Sequence, residues 1–152
     1  MNDKIITLDT NILVYAIDID AGERHERAID IIEQVRFLDC VLTLQALSEF
    51  FTVATRKNKM PIEEAIAQIH DWQAIFSTIS ATPTTLAKAI NAVKDHQLSF
   101  WDAMLWATAH DANVTLLLTE DFQNGQLLEG VKFINPFLLK DLADIFTQKK
   151  IA

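Results

Sequence analysis

The short apolar segment at residues 5–8 places the strongest constraint on the fold. Its sequence, Ile-Ile-Thr-Leu, does not alternate between apolar and polar side chains. A strand with one face in water shows that alternation, so this segment is predicted to be buried on both faces. Further short apolar segments lie at 40–44, 114–118 and 131–134, with helical patterns between them. We therefore predict an α/β fold, a three-layer α/β/α sandwich with a short central parallel sheet.

Proline positions indicate where several of the helices begin. Pro61, the pair Thr82-Pro83 and the pair Asn135-Pro136 each precede a helical pattern. Proline suits a helix start because its missing N–H would have no partner there. Three helical patterns occupy the stretch between the strands near Val41 and Leu116, and a final helix is predicted from Pro136.

Composition excludes several classes of function. The chain has 152 residues, which fits one domain, and 13 basic against 21 acidic residues give a net charge of −8. This charge argues against a basic nucleic-acid-binding surface. The single Cys40 excludes an internal disulfide framework and a cysteine-rich zinc site. No signal peptide or membrane-spanning segment is recognisable, so we expect a cytoplasmic protein without a membrane partner.

Four acidic residues follow predicted strands or begin predicted helices. Asp9 comes directly after the first strand, and Asp121 follows the strand at 114–118. Glu49 and Asp102 lie in the first turns of two helices. Ligands bind beyond the carboxyl ends of strands in open parallel sheets, so we expect these carboxylates to share one cavity.

Each acid also suits an ordinary structural role. Asp9 is suited to capping a helix, and Asp121 to a turn. Asp102 fits a capping box with Ser99, and Glu49 fits a solvated helix position. Four like charges at one edge, however, would destabilise a site that held no cation. Carboxylates without cysteine or paired histidine indicate Mg²⁺ or Mn²⁺, ions that suit phosphodiester hydrolysis.

The segments around these acids resemble those of PIN-domain nucleases. Residues 8–16, Leu-Asp-Thr-Asn-Ile-Leu-Val-Tyr-Ala, are similar to the opening block of that family. Glu49, the Ser-Phe-Trp-Asp-Ala segment at 99–103 and the Leu-Leu-Thr-Glu-Asp-Phe segment at 117–122 resemble its other three blocks in order and spacing. The resemblance extends over about residues 4–137 and is strongest to the VapC toxins of type II toxin–antitoxin pairs.

The resemblance implies a metal-dependent endoribonuclease that hydrolyses RNA phosphodiester bonds with Mg²⁺ or Mn²⁺. It implies a PIN-like nuclease domain over residues 1–137, a cognate antitoxin as partner, and a homodimer. We expect residues 138–152 to form a C-terminal helical extension of the same domain. The catalytic and metal-binding acids implied by the resemblance are Asp9, Glu49, Asp102 and Asp121. The polar residues implied to support the site are Asn11, Thr119 and Glu120.

Several basic residues are candidates for contact with RNA. Arg56, Lys57 and Lys59 lie where a helix is predicted to end, and Arg24 begins another. Basic residues at a helix end interact favourably with the helix dipole, and near an acidic site they can also bind phosphates. Both interpretations stay open for these four residues.

Two other functions compete with a nuclease. A phosphatase of the haloacid dehalogenase type also places Asp after its first strand, but it needs Asp-x-Asp, and Asn11 stands at the third position. A non-catalytic RNA- or protein-binding PIN-like module is the other alternative. The presence of all four acids argues against a decayed site of that kind.

Overall fold

The computed structural model describes residues 4–56 and 59–146. Six strands form one sheet, and their bounds are β1 Ile6–Leu8, β2 Cys40–Thr43, β3 Ser77–Ile79, β4 Leu116–Leu118, β5 Leu127–Leu128 and β6 Val131–Ile134. The strands lie in the order β3-β2-β1-β4-β6-β5. All neighbouring pairs are parallel except β5 with β6. The predicted parallel sheet is confirmed, with β1 near its centre.

Helices connect the strands and cover both faces of the sheet. Their bounds are α1 Thr10–Ile17, α2 Glu23–Val35, α3 Leu44–Arg56, α4 Ile62–Ile75, α5 Pro83–His96, α6 Phe100–Asp111 and α7 Ala143–Phe146. A short 3₁₀ turn, Ile19–Ala21, joins α1 to α2. No helix in the described residues is long and apolar enough to cross a membrane.

Alternate residues of the central strands enter two separate hydrophobic cores. Ile6 and Leu8 pack with Ile12 and Phe50 on the face covered by α1 and α3. The other face of the sheet carries Leu117 and Phe133, which pack with Ala89 of α5 and Trp106 of α6. Because both faces are covered, the central strands are apolar throughout, and the three-layer α/β/α architecture is confirmed.

Side-chain caps start the helices at the carboxyl edge of the sheet. The Asp9 carboxylate accepts the backbone N–H of Thr10 and begins α1 directly after β1. The Thr43 hydroxyl accepts the N–H of Ala46, so α3 begins directly after β2. Ser99 caps α6 by accepting the N–H of Asp102. The caps of α1 and α3 let the chain turn from strand to helix within one residue, whereas the cap of α6 begins a helix that follows α5. The three helix starts fix acidic side chains at the edge.

Two strands are present that the sequence pattern does not indicate. β3 is a three-residue edge strand whose Ser77 and Thr78 are exposed, and its pairing with β2 alone defines it. β5 is a two-residue strand that reaches β6 through Glu129 and Gly130, both of which have positive φ. Such a turn suits a tight hairpin, but the pair Glu-Gly is a weaker signal than Asn-Gly.

The prediction that a helix starts at Pro136 is wrong. The Asn135 side chain accepts the N–H of Phe137 at 3.0 Å and forms a turn there, and the helix α7 begins only at Ala143. Leu142 and Ile145 are buried in the core beside α1 and α2. Residues 147–152 lie outside the described part, so the proposed extent of a C-terminal helical extension stays a prediction.

The contact between α3 and α4 provides a test of this packing. Phe50 is completely buried, and its ring meets that of Trp72 edge-on at 4.7 Å. Phe50→Ala should lower the free energy of unfolding by about 3–5 kcal/mol, because it removes apolar contacts and leaves a cavity. Phe37 is 80% exposed, so Phe37→Ala is a matched control, which should change the free energy of unfolding by less than about 0.5 kcal/mol. Urea denaturation measures both, and equal effects would contradict the placement of Phe50.

Candidate functional site

Asp9 is the most buried acid at the carboxyl edge of the sheet. It follows β1, its backbone N–H donates to the Leu118 carbonyl at 2.9 Å, and only 6% of the residue is exposed. One carboxylate oxygen accepts the N–H of Thr10 and the other accepts the hydroxyl of Thr119, both at 2.7 Å. Neutral donors therefore hold the carboxylate on both sides.

Thr119 connects Asp9 to Asp121. Its hydroxyl donates to Asp9 and accepts the backbone N–H of Asp121 at 3.1 Å. The Asp121 carboxylate in turn accepts the side-chain amide of Asn11 at 3.0 Å. Asn11 and Thr119, predicted to support the site, thus contact the acids directly. A second aspartate at position 11 could not donate this bond at neutral pH, so the Asp-x-Asn pattern suits the observed network.

Glu49 approaches the site from the second turn of α3. One of its carboxylate oxygens accepts the hydroxyl of Thr10 at 3.2 Å, and the other accepts the side-chain amide of Gln45 at 2.9 Å. The same amide of Gln45 also donates to the backbone carbonyl of Trp101 at 3.1 Å. Gln45 therefore connects the start of α3, which carries Glu49, to the start of α6, which carries Asp102.

The pKa values show that these carboxylates repel one another. The pKa of Asp9 is raised from 3.8 to about 6: burial is the largest cause, the hydrogen bonds from Thr119 and Thr10 lower it, and the negative charges of Asp121 and Asp102 raise it. Burial also raises the pKa of Asp121, as do the charges of Asp102, Glu120 and Glu49. The four predicted acids thus occupy one electrostatic neighbourhood.

None of the four acids has a basic partner within the described residues. The ion pairs found there involve other carboxylates, those of Asp18, Glu33, Asp111 and Glu120. Over residues 4–56 and 59–146, however, no three acidic, histidine or cysteine side chains already converge as a metal cage. The donor set is all hard oxygen, which fits Mg²⁺ or Mn²⁺, and the exposed Glu49 and Asp121 side chains have room to turn.

Glu120 points to a different set of partners. Its carboxylate accepts the Tyr15 hydroxyl and the Nε–H of Arg24, the latter at 3.2 Å. The Arg24 guanidinium also lies 5.9 Å from the Tyr15 ring and 5.5 Å from the Phe137 ring. Burial and the bond to Glu120 raise the pKa of Tyr15 to about 12. Glu120 therefore fixes a basic side chain at the rim of the acidic site.

Neither of the other two basic candidates that the structure describes pairs with the four acids. Arg56 ends α3, about 10 Å along the helix axis from Glu49 at 1.5 Å per residue. Lys59 forms an ion pair with Asp18 at 2.5 Å, and Lys57 lies outside the described residues. Of the basic candidates that the structure describes, Arg24 alone is linked to the site through a residue adjacent to Asp121.

Sequence reasoning missed two contributors to this site. Gln45 lies four residues before Glu49, a spacing that brings helical side chains together and was an available signal. Tyr15 meets Glu120 across 105 positions of the chain, so no local pattern indicates their contact.

Solved structures with this fold include toxins of toxin–antitoxin systems. A toxin–antitoxin complex from Klebsiella pneumoniae matches with a TM-score of 0.63 and 20% identity, over 86% of this chain and 97% of that chain. VapC20 from Mycobacterium tuberculosis, a sarcin–ricin loop cleaving toxin, matches with a TM-score of 0.61 and 19% identity, over 82% of this chain and 97% of that chain. VapBC2 from Rickettsia felis, crystallised with promoter DNA, matches with a TM-score of 0.63 and 14% identity, over 85% of this chain and 96% of that chain.

At these identities the solved structures show a shared fold. No curated protein has a significantly similar sequence. The sequence profile of the PIN domain matches residues 6–124, a span that runs from β1 past the last of the four acids. With most of its length matched, and with a parallel sheet that gathers acids at its carboxyl edge, the chain belongs to the PIN domain family.

Proposed function

We propose that this protein is a metal-dependent endoribonuclease and the toxin of a toxin–antitoxin pair. The observation that carries the proposal is a group of four carboxylates that share one sheet edge and have no basic partner in the described residues. PIN domains are typically metal-dependent. Burial and the neighbouring negative charges raise the pKa of Asp9 and Asp121, and a divalent cation would offset both effects by stabilising the ionised carboxylates.

The proposed metal-holding residues are Asp9, Glu49, Asp102 and Asp121. Asp9 is the fixed member, because Thr10 and Thr119 hold both of its oxygens and burial keeps it in place. Glu49 is oriented by Thr10 and Gln45, and Asp121 by Asn11. When bound, Mg²⁺ or Mn²⁺ would supply activated water and neutralise the charge on the scissile phosphate.

Arg24 is the proposed phosphate contact nearest to the acids. Its side chain is 54% exposed and is paired with Glu120, the residue that directly precedes Asp121. Arg56, Lys57 and Lys59 stay proposed contacts for more distant phosphates of the RNA. Such contacts position the backbone and read no base sequence.

The proposed partners are a cognate antitoxin and a second copy of the chain. Relatives of this fold were crystallised as toxin–antitoxin complexes, which supports the first. For the second, helix α5 exposes Leu86, Ile90 and Val93, which recur at helical spacing and form an apolar stripe toward solvent. Exposed stripes of this kind are typical of protein–protein interfaces.

Neither alternative function gains support from a specific contact. In the phosphatase alternative a second aspartate is needed two positions after Asp9, and Asn11 instead donates to Asp121. In the non-catalytic alternative the acids would have no common function. Side-chain hydrogen bonds nevertheless orient three of them, from Thr10, Thr119, Asn11 and Gln45.

Loss of a proposed ligand should abolish cleavage without unfolding the protein. Asp9→Asn and Asp102→Asn should each lower Mn²⁺-dependent cleavage of single-stranded RNA by about 100-fold or more, because charge and a ligand oxygen are lost together. Asp71, exposed on α4, provides the control Asp71→Asn, which should cleave at the wild-type rate. EDTA should stop all cleavage, and the products should carry 5′-phosphate and 3′-hydroxyl ends.

Wild-type cleavage by folded Asp9→Asn protein would contradict the assignment of the site. Products with 2′,3′-cyclic phosphate ends would contradict metal-dependent hydrolysis, because they arise when the ribose 2′-hydroxyl is the nucleophile.

The raised pKa of Asp9 predicts a pH dependence of the metal-free protein. Between pH 3.8 and about 6 the folded state keeps a proton that the unfolded chain has lost, so the free energy of unfolding falls as pH rises. Asn cannot ionise. In EDTA, Asp9→Asn should therefore be more stable than wild type at pH 7, by up to about 3 kcal/mol, and the gain should disappear near pH 4.

Urea denaturation at the two pH values measures this difference. Mn²⁺ at about 100 times its Kd should add about 2.7 kcal/mol to the wild type and much less to the variant. If Asp9→Asn is destabilised equally at both pH values, Asp9 acts only as the cap of α1.

The stripe on α5 predicts that one added charge will separate the dimer. Ile90→Glu should give a monomer by light scattering, because its carboxylate would be buried without a partner. Ile29 of α2 is similarly exposed, 40% against 52% for Ile90, so Ile29→Glu is the matched control and should stay dimeric. A wild-type monomer, or a dimer that survives Ile90→Glu, would refute this interface.

A further inference from the structure

An apolar cavity of about 640 Å³ lies directly beside the acidic site. It is formed by the start of α3, the link between β3 and α5, and the first turns of α6. Its lining includes Leu44, Gln45, Glu49, Ala81, Trp101 and Met104. Glu49 and Gln45 also belong to the acidic site, so the cavity is continuous with the group of carboxylates.

Trp101 is the unusual residue of this cavity. The residue is 62% exposed, whereas the other two tryptophans, Trp72 and Trp106, are 4% and 1% exposed. The ring of Phe100 packs against the indole at 4.9 Å, and Gln45 donates to the backbone carbonyl of Trp101. The indole of Trp101, which directly precedes Asp102 in the chain, thus packs against one neighbouring ring and leaves most of its surface in solvent, which is costly for a large aromatic side chain.

The lining favours a flat, uncharged and aromatic occupant. Among the described residues, no lysine or arginine lines the cavity, and the one charged residue in the lining, Glu49, would repel a phosphate. Gln45, Ser48 and Ser80 add polar groups at the margin of an otherwise apolar space. A nucleobase has both a π-face for stacking and an edge of donors and acceptors, and its backbone phosphate can stay outside with the acids.

We propose that this cavity binds one unstacked base of the RNA strand, next to the bond that the acids hydrolyse, and that Trp101 is its stacking surface. The inference rests on the proposed ribonuclease function and adds a base-binding site to it. Because stacking accepts any base, Trp101 contributes affinity, while Gln45 and the serines are placed to discriminate between base edges.

Fluorescence provides a direct test, because Trp101 is the one exposed indole and the other two are buried. Single-stranded hexauridylate, added to the full chain with Ca²⁺ in place of Mg²⁺, should quench the emission. An oligonucleotide of equal length with abasic sites should bind more weakly and quench less. Trp101→Ala should raise the Kd for hexauridylate roughly tenfold, since base stacking on an aromatic ring is lost. Trp101→Phe should recover most of the affinity, and Phe37→Ala, which removes another exposed aromatic, should leave it unchanged.

Parallel cleavage assays with Mn²⁺ separate this inference from the proposed function. If RNA is cleaved and Trp101→Ala keeps the wild-type Kd and KM, the base site is refuted while the nuclease stands. If hexauridylate quenches Trp101 but no RNA is cleaved, the nuclease is refuted while the base site stands. If the indole of the free protein is shielded from acrylamide in a concentration-dependent way, a second copy of the chain occupies the cavity, and the base site is refuted.

Discussion

The site depends on one buried carboxylate that neutral groups alone hold in place. Asp9 ends the central strand β1, and the Thr10 amide and Thr119 hydroxyl occupy its two oxygens. Hydrogen bonds of this kind fix a carboxylate but do not cancel its charge, so burial still raises its pKa, and the nearby charges of Asp121 and Asp102 add to that effect. The carboxylates at this edge of the sheet therefore repel one another, and the divalent cation that we propose there would relieve the repulsion.

Much of the fold follows from local patterns in the sequence. The apolar strands at residues 5–8 and 114–118, and the caps Asp9, Thr82 and Ser99, indicate their elements correctly because each signal lies within a few residues. The edge strand β3 and the hairpin strand β5 escape prediction, since pairing with a distant strand defines them. The turn at Asn135 shows the opposite failure, in which a side chain that can cap a helix closes a turn instead.

The acids of the candidate site could be proposed from sequence, but their supports could not. The order of strands and helices places Asp9, Glu49 and Asp121 at one edge, so topology was sufficient. The contact of Gln45 with the Trp101 carbonyl joins two helix starts 56 positions apart, and only packing produces it. That contact connects the orientation of Glu49 to the cavity under Trp101, so the proposed metal ligands and the proposed base site share one structural element.

The central claim is that the four acids share one cation, and Mn²⁺ binding measured by calorimetry tests it most directly. Mn²⁺ should bind the wild type, and each of Asp9→Asn, Glu49→Gln, Asp102→Asn and Asp121→Asn should weaken binding at least tenfold. Asp111, paired with Lys88 at the opposite end of α6 from Asp102, gives the control Asp111→Asn, which should bind as the wild type does. Binding that survives all four substitutions, or that weakens equally in Asp111→Asn, would contradict a shared cation site.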